Sequence, residues 1–498
     1  MVDSKSTTGE DKEQSFETDG SRYSEVNPDR PLEFSREKRD EMIRKSAKRV
    51  QDHLERLPEG PAANLDHAHQ KAEQLRESVP REPTAYDDLL DTLFEDAIAH
   101  SAANPHPKFL AYVPGGGLFH AALADFVANA TNRYVGTWVE APALVAIETN
   151  VVKWFCDLLG YPEDAFGLLT SGGSMANLVA TITAREERLA DDFLDGVIYT
   201  SDQSHHSVAK AALLAGFPSE NVRSIATDDE FRIDVDALES AIEEDRDAGK
   251  DPFLVVGTAG STNTGAVDDL DALADLCNRE DLWLHADGAY GGFFALTEKG
   301  SEQLDGLDRC DSITVDPHKG LFLPYGTGAL LVRDVEALAR THSVDANYLP
   351  DWDPESGTVD FSQLGPEQSR DFRGLRAWLP LKMHGVDAFR DTLAEKLELA
   401  EQATDCLRQL ENVEIVAEPQ LSTLAFRVNP PGVEGEALDA LNEELLEVIN
   451  SRGRIHLSGT TLDGEFAVRI CVLGYRTHRE HVADSLEEIE RVISEVTR

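Results

Sequence analysis

At 498 residues the chain is long enough for roughly two or three domains and a substantial core. Its 93 Asp+Glu against 46 Lys+Arg give a formal net charge of −47, which repels nucleic-acid phosphates and anionic bilayers and excludes both as partners. The polar N-terminus does not read as a signal peptide, and no apolar run approaches the roughly 18 residues of a membrane span.

The acidic residues are spread over helical faces such as DDLLDTLFEDA and AIEEDRDAG, and arginine outnumbers lysine 32 to 14. An evenly acidic, lysine-poor surface fits the cytosol of a halophile, where salt screens the self-repulsion. The five cysteines are scattered with no CxxC pair; they read as reduced, mostly buried thiols of a cytoplasmic protein, and no metal site is expected.

Residues 1–32 form an acidic tail whose composition predicts disorder. From 33 to 110 the pattern is helical with polar faces (SREKRDEMIRKSAKRVQDHLERL, then YDDLLDTLFEDAIAHSA), and the glycine-rich turn VPGGG follows at 113–117. From 111 to 394 short β-rich runs alternate with helical stretches. Seven runs read as strands: FGLLT (166–170), GVIYT (196–200), VRSIA (222–226), FLVVG (253–257), LWLHA (282–286), SITVD (312–316) and GALLV (328–332). Strands spaced by crossover helices make an α/β fold with a mostly parallel seven-stranded sheet flanked by helices. From 395 to 498 the rhythm changes to a smaller α+β domain, with a helix, NVEIVAEP, STLAFRV, a second helix, EFAVRICVLG and a closing helix.

In an open parallel sheet, ligands bind beyond the carboxyl ends of the strands. FGLLT runs into Ser171-Gly172-Gly173-Ser174 and a helix, which is either a plain turn or an anion site built from free helix-start amides. GVIYT runs into SDQSHHS, where His205 either caps a helix or stacks and transfers protons. FLVVG is followed by Gly260-Ser261-Thr262-Asn263, a turn or a set of small polar groups facing a ligand. LWLHA ends on Asp287, whose carboxylate needs a partner, either an arginine or a protonated ring nitrogen. SITVD leads to His318 and Lys319. Singly each site has a bland explanation. Jointly, five strand ends bring an anion cradle, a histidine, a hydroxyl, an acid and an amine, the set that pyridoxal 5′-phosphate (PLP) requires.

TSGGSMANL, SDQSHHSVAKAA, LWLHADGAYGG and DPHKGLF, in that order, resemble the motifs of the group II PLP-dependent amino-acid decarboxylases, over roughly residues 33–495. This family includes the aromatic-L-amino-acid and glutamate decarboxylases. The resemblance implies the aspartate-aminotransferase (type I) fold of PLP-dependent transferases. It also implies a homodimer with active sites at the subunit interface, residues 33–110 packing on the partner. Lys319 resembles the lysine that holds PLP as a Schiff base, and His318 the histidine before it. Asp287 resembles the acid paired with the pyridine nitrogen, and Ala289 the small residue against the ring. His205 is similar to the histidine that stacks on the cofactor, Gly173 and Ser174 match the phosphate loop, and Thr262 matches a threonine near the ring. Tyr112, Pro114 and Gly115 (in YVPG) resemble a substrate-contacting segment. Tyr348, in ANYLP, stands at the position of the mobile-loop tyrosine that reprotonates carbon after CO2 loss, and the polar segment 351–370 resembles a closing lid. Asp316 stands where the animal enzymes have asparagine, and Gly320 where tryptophan is common.

The implied activity is decarboxylation of an L-amino acid to its amine. VRICVLGYRTHREHV looks more like the aromatic-amino-acid enzymes, so tyrosine, tryptophan or dopa is the expected substrate. The alternatives are glutamate, aspartate or diaminobutyrate, with Arg469 either binding a distal carboxylate or forming a structural salt bridge. A lyase of the sphingosine-phosphate-lyase type and a degenerate, non-catalytic interaction protein are the remaining ones.

Overall fold

The computed structural model describes residues 30–65, 67–344 and 358–498. Most of the acidic tail, and Tyr348 with residues 345–357, lie outside the described residues. The chain divides into two compact units, one running to Glu59 and including Leu65–Ser101, the other made of Gly60–Asn64 and Ala102–Arg498.

The first unit is helical. Its longest helix, Arg36–Arg56, starts where the Ser35 hydroxyl accepts the Lys38 N–H at 3.1 Å. Glu37 in the first turn and His53 and Arg56 in the last complement the helix dipole. None of its residues is buried.

The second unit holds two sheets. The larger has seven strands: β1 (Phe166–Thr170), β2 (Gly196–Ser201), β3 (Val222–Ile225), β4 (Asp251–Thr258), β5 (Trp283–Gly288), β6 (Ser312–Val315) and β7 (Gly328–Val332). Their order is β1-β7-β6-β5-β4-β2-β3. The pairs β2–β3, β2–β4, β4–β5 and β5–β6 are parallel, and β7 runs antiparallel to both β6 and β1. The carboxyl ends of β1, β2, β4, β5 and β6 therefore open on one edge. Every residue of β1, β2, β5, β6 and β7 is buried, which is why these strands are continuous apolar runs rather than alternating ones. Seven strands in a mostly parallel sheet is the architecture expected from the sequence.

The smaller sheet is antiparallel, ordered β10-β11-β9-β8, from β8 (Val413–Ala417), β9 (Thr423–Val428), β10 (Ser458–Leu462) and β11 (Glu465–Cys471). It packs under its own apolar cluster, which includes Leu407, Phe426, Leu445 and Ile489. The helix Gly374–Arg408 breaks at Gly385 (φ 73°) and then runs through residue 395 without interruption, so it links both sheets.

Part of segment 351–370 corrects the expectation of a polar lid. Phe361 and Leu364 are buried in the main core, and the Asp360 carboxylate accepts the Trp138 N–H at 2.6 Å. Arg370 is paired with fully buried Glu148 at 2.5 Å. Cys156, Cys277, Cys310 and Cys471 are buried and Cys406 is exposed. Among the described residues no helix is long and apolar enough to cross a membrane.

Candidate active site

Beyond Thr170, Gly172 takes φ 152°, a conformation rarely open to residues with side chains, and the helix Gly173–Arg188 begins. A methyl group on Gly173 would lie 3.1 Å from Ala289 Cβ and 3.1 Å from Asp316 Oδ2. Glycine thus lets the wall close on the helix start. The first amides there have no partner within the helix and sit at the positive end of its dipole.

This helix start, His205, Thr262, Asp287, Ala289, His318 and Lys319 line one cavity of about 270 Å³ at the carboxyl edge of the sheet. Lys319 comes there because Pro317 opens a single helical turn, Pro317–Gly320, directly after β6. Its Nζ lies 3.2 Å from Asp316 Oδ2. The His318 ring is turned by a 2.7 Å hydrogen bond from Nδ1 to the Thr327 carbonyl. The Asp287 carboxylate accepts the Ala289 N–H at 3.2 Å and the Asn177 side-chain amide at 2.9 Å.

Asn177 belongs to a chain of hydrogen bonds whose direction is fixed by the donation of its Nδ2 to Asp287. Trp283 Nε1–H donates to Ser312 Oγ at 2.9 Å, and that hydroxyl meets His285 Nδ1 at 2.8 Å. Burial presses the His285 ring toward its neutral form, lowering its pKa to about 4. Since Asn177 Nδ2 donates to Asp287 and, at 3.0 Å, to Ser207 Oγ, its Oδ1 faces His285 and accepts Nε2–H at 3.1 Å. The neutral ring then accepts the Ser312 hydroxyl at Nδ1. Ser207 Oγ lies 2.7 Å from His205 Nδ1, which also accepts the Ser207 N–H at 3.2 Å. The remaining ring proton of His205 is therefore on Nε2. Burial lowers the His205 pKa, against the opposing pull of Asp287. Asn177, Ser207, His285 and Ser312 were not singled out from the sequence. Asn177 was within reach, since it lies four residues after Gly173 on the same helix face.

Tyr112, Pro114 and Gly115 do not line the cavity; they run beside its rim. Gly115 N–H lies 3.3 Å from the Tyr325 hydroxyl, and Gly116 N–H donates to the His318 carbonyl at 3.2 Å. Tyr112 is exposed. Arg469 is buried and bonds no acid among the described residues: it donates to the carbonyls of Asn263 (2.8 Å) and Tyr112 (3.3 Å) and to Ser458 Oγ (2.9 Å). It is neither a salt bridge nor a free carboxylate binder, but a clamp joining β11, the Thr262 turn and the Tyr112 segment.

A family model, the pyridoxal-dependent decarboxylase conserved domain, matches residues 68–429. An aromatic-L-amino-acid decarboxylase of Bacillus atrophaeus is 37% identical over 94% of this chain and 98% of its own length. The chain belongs to the pyridoxal-dependent decarboxylases. Oryza sativa TDC, solved with PLP and tryptamine, superposes with a TM-score of 0.89 at 27% identity, covering 94% of this chain and all of that one. Rhodiola rosea 4-hydroxyphenylacetaldehyde synthase superposes with a TM-score of 0.87 at 26% identity, again covering 94% and 100%. The fold is thus type I and the protein a PLP-dependent carboxy-lyase.

The residues present fit that cofactor. The glycine-lined helix start suits a phosphate, a carboxylate held by two N–H donors suits a protonated pyridine nitrogen, and Lys319 supplies the only amine among the described lining residues.

Proposed function

We propose that this decarboxylase acts on an aromatic L-amino acid, tyrosine, tryptophan or dopa, releasing CO2 and the amine. The observation that carries the reading is the meeting of Lys319, Asp287 and His205 in one cavity beside Gly173–Ser174, in a chain 37% identical to an aromatic-L-amino-acid decarboxylase. The engagement of Arg469 with two carbonyls and a hydroxyl weighs against glutamate, aspartate or another substrate with a distal carboxylate.

PLP supplies an electron sink for the bond to the departing carboxylate. Lys319, the one lysine among the described lining residues, would be its covalent anchor through Nζ. The Asp287 carboxylate would hold a proton on the pyridine nitrogen, and the Gly173 and Ser174 amides would hold the phosphate. Ala289 and Thr262 border the ring, and His318 shapes the turn that presents Lys319. His205, neutral with its proton on Nε2, would lie against the cofactor ring and move a proton together with Tyr348, whose hydroxyl would supply it to the carbon that CO2 leaves. Tyr112, Pro114 and Gly115 flank the substrate's path.

The test is a panel of L-amino acids in high salt, assayed for CO2, amine and aldehyde, with Lys319→Ala alongside. Aromatic substrates should give amine and CO2 in equal amounts, and the variant should show no turnover and no borohydride-reducible chromophore. Preference for glutamate, aldehyde as the main product, or steady CO2 from the variant overturns the reading.

We further propose a homodimer in a salt-rich cytosol, with residues 33–110 packing on the partner. Phe119, Leu123, Phe126 and Val127 form an exposed apolar stripe on the helix Phe119–Thr131, as a face covered by a second copy would. The net charge of −47 supports the salt requirement. Sedimentation during salt removal should show a dimer that dissociates or unfolds. A monomer in high salt, or an unaltered dimer without salt, refutes the respective half.

A further inference from the structure

Asp316 is the carboxylate of the cavity that the mechanism does not use. It is 3% exposed, and its Oδ2 is 3.2 Å from Lys319 Nζ and beside the helix start at Gly173. Among the described residues its Oδ1 has no hydrogen-bond partner. His318 Nδ1 is 3.7 Å from Oδ1, but that nitrogen already donates to the Thr327 carbonyl. From the facing elements, the ionisable side chains are His205 after β2, Asp287 on β5 and Tyr290 just after it, whose hydroxyl is hydrogen-bonded to Ser422. The lining thus offers one lysine and two acidic side chains, with no arginine, and burial disfavours charge on His205.

A phosphate monoester brings about −1.5 to −2 at neutral pH. The proton on the pyridine nitrogen answers Asp287. With Lys319 Nζ given over to anchoring the cofactor, Asp316 and the phosphate then face one another across the Gly173 helix start. Two like charges at such separation drive a proton onto one of them. An O–H between the two also gives Asp316 Oδ1 the donor it lacks.

We propose that Asp316 and the cofactor phosphate share one proton in the loaded site, so that the protein takes up a proton on binding PLP and selects the monoprotonated phosphate. The inference rests on phosphate docking at Gly173–Ser174, and it is independent of which amino acid is the substrate. The shared proton raises the pKa of the pair in the complex. Affinity is therefore fully present at low pH and declines as pH rises through that value.

The experiment titrates the apo chain with PLP and with pyridoxal, which lacks the phosphate, following absorbance between about pH 6 and pH 9, a window above the second phosphate pKa of about 6. Wild type and Asp316→Asn are compared through the ratio of the two dissociation constants, which cancels the titration of Lys319. The PLP preference of wild type should fall by up to about tenfold per pH unit relative to Asp316→Asn, and the variant should bind PLP more tightly at the alkaline end. Pyridoxal affinity should change little. Parallel ratios at every pH, or weaker PLP binding by the variant, overturn the proposal. Asp316→Ser carries the same expectation if the asparagine variant fails to fold. Gly173→Ala, which fills the cradle, should weaken PLP and spare pyridoxal; if it spares both, the phosphate placement is what has failed.

Discussion

The two carboxylates of the cavity are held in opposite ways. Asp287 receives N–H donors on both oxygens, from Ala289 and Asn177, and the Asn177 amide is itself oriented by neutral His285. Asp316 has an amine 3.2 Å from one oxygen and no hydrogen bond among the described residues to the other. Both are buried, yet one has both oxygens engaged by protein donors before anything binds, and the other keeps one oxygen for a group brought by the ligand. A carboxylate given two charge-assisted hydrogen bonds keeps a fixed charge. A carboxylate with an orphaned buried oxygen has a charge that depends on the occupant.

Substitution to asparagine should therefore act in opposite directions at the two ends. Asp287→Asn removes the fixed charge without changing size, and kcat should fall by about 10²–10³, the scale for losing a preorganised electrostatic contact. The PLP-to-pyridoxal affinity ratio should stay at its wild-type value, because the phosphate end is untouched. If both asparagine variants change that ratio alike, the two carboxylates form one electrostatic unit and the contrast between them is wrong. Steady-state kinetics and the binding titration together decide this.

How much of this arrangement the sequence reveals depends on whether a feature is local. Five runs of the large sheet, FGLLT, GVIYT, FLVVG, LWLHA and SITVD, are legible because each is mostly apolar and has Gly, Ser or Asp at or just past its end. The residues at their ends are legible because parallel strands must deliver them to one edge. β10 was not foreseen: SGTTL is small and polar, and only the Asp463-Gly464 turn, with φ of 52° and 84°, marks the hairpin to β11. Segment 351–370 looked like a lid because its polarity was visible, while the partners of Asp360 and Arg370, Trp138 and Glu148, are more than 200 residues away in sequence. Arg469 looked like a candidate carboxylate binder for the same reason. A buried arginine satisfied by carbonyls has no signature along the chain.

Asn177 offers the smaller and sharper way to break the contrast. It touches Asp287 and Ser207 through one amino group, and the oxygen of the same amide is held by His285 Nε2–H. Removing it in Asn177→Ala leaves the Asp287 charge in place but takes away one of its donors, and frees Ser207 from its role beside His205. Losing a hydrogen bond to a charged group costs about 1.5–3 kcal/mol, so kcat should fall about tenfold to a hundredfold. Since the lost contacts act on groups that work during the reaction rather than on substrate binding, kcat and kcat/KM should fall together while KM holds. His285 keeps its neutral form down to about pH 4 in the folded chain, whereas the unfolded chain takes the proton near 6.5. The neutral ring therefore costs the folded chain stability as pH falls from 6.5 toward 4, and urea unfolding of wild type should show that decline. Protonation adds a proton at Nδ1 and leaves the Nε2–H bond to Asn177 in place, so the kcat deficit of Asn177→Ala should hold at every pH in that window; a deficit that closes on acidification would mean that the ring nitrogen facing Asn177 does not carry the proton.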